Sequence, residues 1–319
     1  MAKIFESRED KFKKWLKLLY VKYNNDNIYI NFRNIINIPL FLPLSLEYLD
    51  LSNNEIIEIP KEIGQLISLE LLNLSHNRIV KIPEEIEQLT SLDYLNLKYN
   101  KITDIPGQIG QLTSLEGLYL ENNHIVDIPK QIGLLTSLKH LDLSHNKITN
   151  HGARLLSKLL GENSVLTVLD ISDNNIHSEG GRYLARGLRE NDALLGINLR
   201  LNRLGDNGCR MLLEGIQDNV TLQDLNLASN DLSHQSVQIL STIVRNPEHS
   251  LHSLDISSNS LNEDNLELLR ISLKVNKTLC SIDIRNNPGY GDGNNNIVKE
   301  IEEGVYNTEI KVRRIQGHM

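Results

Sequence analysis

Aromatic residues fill only 5% of the 319 positions, and tryptophan and cysteine are rarer still, with one Trp and two Cys. The two cysteines, Cys209 and Cys280, stand far apart. That excludes a small disulfide-stapled secreted framework, which needs several cysteines at regular spacing, and it points to a reducing compartment. Long apolar runs are also missing. No stretch approaches the roughly 20 apolar residues needed to span a bilayer. The leading segment "MAKIFESREDKFKKWLKLLYVKY" is interrupted by Lys17 and neighbouring charges, so it lacks the unbroken apolar core of a secretion signal. An intracellular, cytoplasmic location follows as the expectation, with the sequons at Asn73, Asn219 and Asn276 unused. Positive charge is in deficit, 33 Lys and Arg against 41 Asp and Glu for a formal net charge of -8. A phosphate backbone attracts a concentrated basic face, so nucleic acid is not the expected partner.

What the chain has in abundance is one phrase. Written LxxLxLxxN, it starts at Leu46, Leu69, Leu92, Leu115 and Leu138, then at Leu166, Leu194, Leu222, Leu251 and Leu279. The first five starts are 23 residues apart, and the later ones 28 or 29. Leucines two apart bury one face of a short strand, while the residues between them point the other way. Stacked copies would line those strands into one parallel sheet. The closing asparagine, for example Asn77 or Asn202, offers two donors and an acceptor to the backbone of its own turn and of the adjacent repeat.

Two versions of the unit follow one another. In the first, Ile59-Pro60, Ile82-Pro83, Ile105-Pro106 and Ile128-Pro129 follow the phrase. Proline lacks an amide donor and disfavours helix at the residue before it, so an extended segment or short 3₁₀ turn is expected there. In the second, "HGARLLSKLLGEN", "EGGRYLARGLREN" and "NGCRMLLEGIQDN" carry apolar residues at helical spacing, such as Leu155, Leu156, Leu159 and Leu160, or Leu184, Ala185 and Leu188. Each of those units is expected to contain an α-helix.

On this phrase the chain is identified as a member of the leucine-rich repeat superfamily. Its first half resembles Ras-suppressor-type intracellular repeats and its second half ribonuclease-inhibitor-type repeats. The resemblance implies an α/β solenoid, or horseshoe, with a parallel concave β-sheet, convex 3₁₀ or extended segments in the first half and convex α-helices in the second. The expected organisation is an N-terminal amphipathic capping helix over 1–27, 23-residue repeats over 28–145, 28-residue repeats over 146–305, and a C-terminal cap over 306–319. The two sets of repeats are expected to form one continuous solenoid, with curvature tightening in the second half.

Both ends need covers, because an open solenoid end exposes its core and a strand edge. "IYINFRNIINIP", residues 28–39, fits a degenerate leading repeat with Arg33 in the asparagine position. Upstream, Ser7 and Asp10 match a capping box with Asp for Glu, and Phe12, Trp15, Leu16 and Leu19 share one helical face. That helix carries seven basic residues against three acidic ones, so besides capping the solenoid it offers a basic face to an anionic membrane or a partner. Near the other end, "NNIVKEIEEGVYN" reads as a last helix and "EIKVRRIQ" as a last strand.

No constellation of catalytic residues emerges. "NPGYGDGNNN" is glycine-rich, but its GxGxG spacing lacks the following Lys-Ser/Thr of a P-loop. Three repeats separate His76 from His145, which at about 4.8 Å per strand is roughly 14 Å, too far for one ion. The chain is expected to be no enzyme and to need no metal or cofactor. Roughly 25 residues before the solenoid and 15 after it leave no room here for a ligase or adaptor domain.

The expected function is protein binding on the concave face, as a module or scaffold. The column between the two strand leucines reads Asp50, Asn73, Asn96, Tyr119, Asp142, Asp170, Asn198, Asn226, Asp255 and Asp283, and Tyr119 interrupts it. Tyr94, Lys98 and Tyr99 lie one repeat earlier, His140 and His145 one repeat later, and Tyr48 heads the first complete repeat. Aromatic side chains with basic neighbours are typical interface anchors, so these residues form the first candidate site. Arg200 and Arg285, cations in a column whose other second-half members are Ser and Ala, form the second. Two narrower roles are compatible: a eukaryote-like effector that an intracellular bacterium delivers into host cells, and a structural axonemal protein, since "NDALLGINLRLNRLGDNG" resembles repeats of dynein-regulatory-complex subunits. A true ribonuclease inhibitor would be Cys-rich.

Overall fold

A computed structural model describes residues 14, 27–31, 33–291 and 296–305. The expected capping box, the apolar face of the N-terminal helix and the last strand lie outside the described residues, as does the tail 306–319. The described residues fall into two compact units, Met1–Asn146 and Lys147–Met319.

In the first unit six parallel three-residue strands stand in chain order: β1 (Asn27–Tyr29), β2 (Tyr48–Asp50), β3 (Leu71–Asn73), β4 (Tyr94–Asn96), β5 (Gly117–Tyr119) and β6 (His140–Asp142). Corresponding letters of the phrase pair directly, for instance Leu72 with Leu95 and Asn73 with Asn96. The leading repeat joins in the same register, with Ile28 opposite Leu49, which puts Arg33 in the place of the closing asparagine. After Pro60, Pro83, Pro106 and Pro129 the chain makes one short 3₁₀ helix each, over Lys61–Gln65, Glu84–Gln88, Gly107–Gln111 and Lys130–Leu134. The prolines themselves sit just before these helices in extended conformation, where a missing N–H costs nothing.

The closing asparagines form a ladder. Asn100 Nδ2 donates to the carbonyls of Leu97 and of Leu74 in the preceding repeat, both at 3.0 Å, while its Oδ1 accepts from Ile79 N at 2.9 Å. Asn77 and Asn123 repeat the pattern. Buried amides satisfied on both sides in this way stabilise the turn, and losing one strands several backbone groups. The residue before each ladder asparagine, Asn53, His76, Tyr99, Asn122 or His145, is left-handed at φ between 52° and 55°.

The second unit has strands β7 (Val168–Asp170), β8 (Gly196–Asn198), β9 (Asp224–Asn226), β10 (Ser253–Asp255) and β11 (Ser281–Asp283), again parallel and in chain order. Here the return segments are helices: α1 (Asn150–Glu162), α2 (Ser178–Glu190), α3 (Gly205–Ile216), α4 (His234–Arg245) and α5 (Glu263–Leu273), with a further helix over 296–305. Their apolar stripes are buried, as in Leu156, Leu159 and Leu160 of α1 or Leu184, Ala185 and Leu188 of α2. None of the helices among the described residues is long and apolar enough to cross a membrane.

This unit carries two ladders. The first continues the phrase, with Asn202 Nδ2 bonded to Ile171 O and Leu199 O. The second runs past the helix ends: Asn191 donates to Leu160 O at 2.8 Å and Asn219 to Leu188 O at 2.9 Å, while the Oδ1 of each accepts from the backbone that starts the next strand. These bonds satisfy helix C-terminal carbonyls that have no partner within the helix. Where a fourth asparagine is due stands His249, its Nε2 3.1 Å from Ile216 O and its Nδ1 accepting from Leu251 N. Nothing in the leucine pattern signals this second ladder.

Candidate functional site

On the sheet face of the first unit, residues two apart on one strand point the same way. Tyr94 therefore lies in the row of Tyr48, Leu71, Gly117 and His140, and Tyr119 lies in the row of Asp50, Asn73, Asn96 and Asp142. Side chains on such a diagonal would ordinarily be about 7 to 8 Å apart. The Tyr94 and Tyr119 rings approach instead to 4.8 Å between centroids, at 38° between planes. Gly117 explains the difference, since a Cβ placed there would stand 2.7 Å from Tyr119 Cε2. With no side chain at position 117, the Tyr119 ring leans back over the glycine. Burial holds the Tyr119 phenol above its ordinary pKa, with the Tyr94 hydroxyl adding to the effect.

Tyr99 does not join that pair. It stacks on His76 of the preceding repeat, with centroids 4.3 Å apart and planes within 8°, and its hydroxyl donates to Glu121 at 2.9 Å. The carboxylate raises the Tyr99 pKa. Both stacked residues are among the left-handed positions, a conformation that bulky side chains rarely adopt. Tyr48 donates to Glu70 at 3.0 Å, which raises its pKa in turn.

Of the basic neighbours expected for these tyrosines, Lys98 is placed against Tyr119 and is itself ion-paired. Lys98 lies 5.2 Å from the Tyr119 ring centroid and is bound by two carboxylates, Glu121 at 3.0 Å and Asp142 at 2.5 Å. Burial disfavours the charged form of Lys98, but the hydrogen bonds to Asp142 and Glu121 outweigh it and raise the pKa. Its charge is thus already neutralised from within the chain. His140 is exposed on β6 opposite Gly117, and His145 occupies the left-handed column.

Sequence reasoning missed His76, Gly117, Glu121 and Asp142, each of which determines how a chosen residue is held. It also missed the row immediately before the strands: Glu47, Glu70, Asp93, Glu116 and Lys139. Their backbones are linked strand to strand, as in Asp93 N to Glu70 O and Glu116 N to Asp93 O. The signal was available in the second letter of the phrase, read down the repeats.

In the second unit, Arg200 and Arg285 stand three strands apart in the same row, roughly 14 Å at ordinary strand spacing, so they do not make one cluster. Arg285 forks onto the carboxylate of Asp283 and holds it below the usual carboxylate range, while Arg200 is exposed. Beside them β7–β11 line an open groove of about 650 Å³ that includes Val168, Leu195, Asp170, Asp224 and Asp255. Cys209 is buried and Cys280 half-buried, and neither is in a disulfide. Among the described residues no group of three or more His, Cys, Asp or Glu is placed to hold a metal ion.

Parallel strands closed by an asparagine ladder, with polar and aromatic side chains lined along one sheet face, define a leucine-rich-repeat solenoid. The chain belongs to the leucine-rich repeat family: the description "Leucine-rich repeat region" matches residues 14–271. Among solved structures it is similar to a leucine-rich-repeat protein of Leptospira interrogans, with 26% identity over 85% of this chain and 81% of that one at a TM-score of 0.50. It also shares its fold with an internalin of Listeria monocytogenes (18% identity, 90% and 94% covered, TM-score 0.53). A third similar structure is the plant peptide hormone receptor RGFR1, solved in complex with RGF2 (22% identity, TM-score 0.51), where the match covers 78% of this chain and 45% of the receptor. Comparison with curated protein sequences returned no match. Proteins of this repeat family are in general interaction modules.

Proposed function

We propose that this chain is a non-enzymatic protein-binding module, and that the sheet face of its first unit, centred on Tyr94 and Tyr119, grips a partner protein. The observation that carries the reading is the ring pair at 4.8 Å, set over Gly117 on the sheet face. Large rigid aromatic side chains supply contact area at low entropic cost, which is why such residues dominate binding energy at interfaces. A family whose members are generally interaction modules supports the same reading.

The test is a crosslinked capture from eukaryotic cell lysate. The native chain is compared with Tyr94→Ala/Tyr119→Ala, and with Arg200→Ala/Arg285→Ala as a control on the other unit. A partner held by the native chain and the arginine variant, but lost by the folded tyrosine variant, is the expected result. Equal capture by all three would remove the tyrosine face from consideration.

A further inference from the structure

The charge around the tyrosine pair specifies what kind of partner surface can settle on it. Strand pairing in strict register places Glu47, Glu70, Asp93 and Glu116 side by side, at about 4.8 Å per strand and so across roughly 14 Å of sheet. This row adjoins the tyrosine row, as the Tyr48 hydroxyl bonded to Glu70 demonstrates. Asp93 feels its neighbours. Burial, then the charges of Glu70 and Glu116, push the Asp93 carboxyl above its ordinary pKa.

Within the chain the row meets a cation at its far end, where Lys139 bonds Glu116 at 2.7 Å. The other lysine of this face, Lys98, is committed to Glu121 and Asp142. With Asp50 counted, the face presents seven carboxylates against two ammonium groups. Like charges at such spacing raise one another's energy until a counter-charge arrives. The aromatic rings beside them also attract cations through their faces, and Lys98 already lies over one of them.

Resting on the reading of this face as a protein-binding surface, we propose that the partner presents a short extended segment bearing arginine or lysine, which crosses the strands along the row Glu47 to Glu116 and stacks one cation on Tyr94. At about 3.3 Å per residue, some five extended residues span the row. Arginine suits the site better than lysine, because its planar fork pairs with carboxylates and its face lies flat on an aromatic ring. A neutral or acidic segment would leave the carboxylates desolvated against one another, so the face discriminates by sign as well as by shape.

The experiment uses the full chain and a fluorescein-labelled octapeptide of alternating Arg and Ser, with a Glu-Ser octapeptide of the same length as the opposite charge, read by fluorescence anisotropy at about 50 mM salt, where screening is weak. Variants are first shown to be folded by circular dichroism. Glu70→Gln/Asp93→Asn should weaken arginine-peptide binding by about tenfold or more, and Tyr94→Ala by about threefold or more. Asp192→Asn/Glu248→Gln, which removes the same charge from exposed positions of the second unit, should change it less than about twofold. The Glu-Ser peptide should not bind. Failure of the arginine peptide to bind, equal weakening by both charge variants, or indifference to Tyr94→Ala would each overturn the proposal. If lysate capture still depends on Tyr94 and Tyr119 while the arginine peptide fails, the binding face stands and its assigned partner chemistry falls. If capture ignores the tyrosines, the face itself falls.

Discussion

Replacing Asn100 by alanine should remove about 3–5 kcal/mol from the stability of the first unit. The amide is buried, at 6% exposure, and serves Leu74 O, Leu97 O and Ile79 N. Alanine leaves all three backbone groups in the interior without that partner, at about 1–3 kcal/mol each, with part recovered where the turn relaxes or water enters. Folded domains are stable by only about 5–15 kcal/mol, so the loss is a large fraction of the total. The assay is urea unfolding followed by far-ultraviolet circular dichroism. Asn122→Ala, an exposed residue one repeat later and in the left-handed column, serves as control and should cost about 1 kcal/mol through backbone strain alone. Because repeats unfold by neighbouring units, the Asn100 variant should also broaden the transition. A loss no larger than that of the Asn122 control would refute the claim that the ladder amide holds the turn.

His249 makes the second unit sensitive to acid. Burial depresses its pKa below the ordinary 6.5, against weaker opposing effects of Ile216 O and Asp218, and its Nδ1 must stay unprotonated to accept from Leu251 N. The unfolded chain therefore takes up the proton more readily than the folded one. The contribution of neutral His249 is complete above pH 6.5 and is lost as pH falls below that value toward the folded pKa. His249→Asn, which restores the residue found at 163, 191 and 219, should melt as the native chain does near neutrality but lose less Tm on moving to pH 5. Equal acid sensitivity in both would show that the histidine is not responsible. Gly117→Ala should displace the Tyr119 ring, the flexible group nearest the new methyl, at a cost of about 1 kcal/mol. Near-ultraviolet tyrosine signals would change while far-ultraviolet signals would not. An unaltered tyrosine spectrum would contradict the close ring pairing.

The fold was legible because each requirement of the repeat is written in a residue type with a single physical use. Leucines two apart make a one-sided strand, asparagine closes the turn, and proline disfavours helix at the residue before it. Leu155–Leu160 announced helices in the second half for the same reason, and α1 is there. The site was less legible. Tyr119 could be chosen because it interrupts a regular column, and Tyr94 because it lies one repeat earlier, but their neighbours depend on adjacency across strands. Lys98 could be read as a basic neighbour of Tyr119, but not its ion pairs with Glu121 and Asp142, which lie 23 and 44 residues away. The ring contact required Gly117 to lack a side chain, a condition that concerns space and leaves no mark on hydropathy. The acid row and the second asparagine ladder were present as periodic letters at positions other than the leucines.

The ladder also dictates how this chain would yield under tension. Within each unit, closing asparagines are bonded to a carbonyl of the repeat before them, as Asn77 is to Leu51 and Asn202 to Ile171. A repeat peeled from one end thus releases its hold on its neighbour in the same event, and the next repeat becomes the new end. Within each unit, rupture is expected in steps of one repeat, 23 residues in the first and 28 or 29 in the second. Fully stretched, these correspond to about 80 Å and about 100 Å of chain. Seen this way, the two repeat lengths are two gauges of the same ratchet.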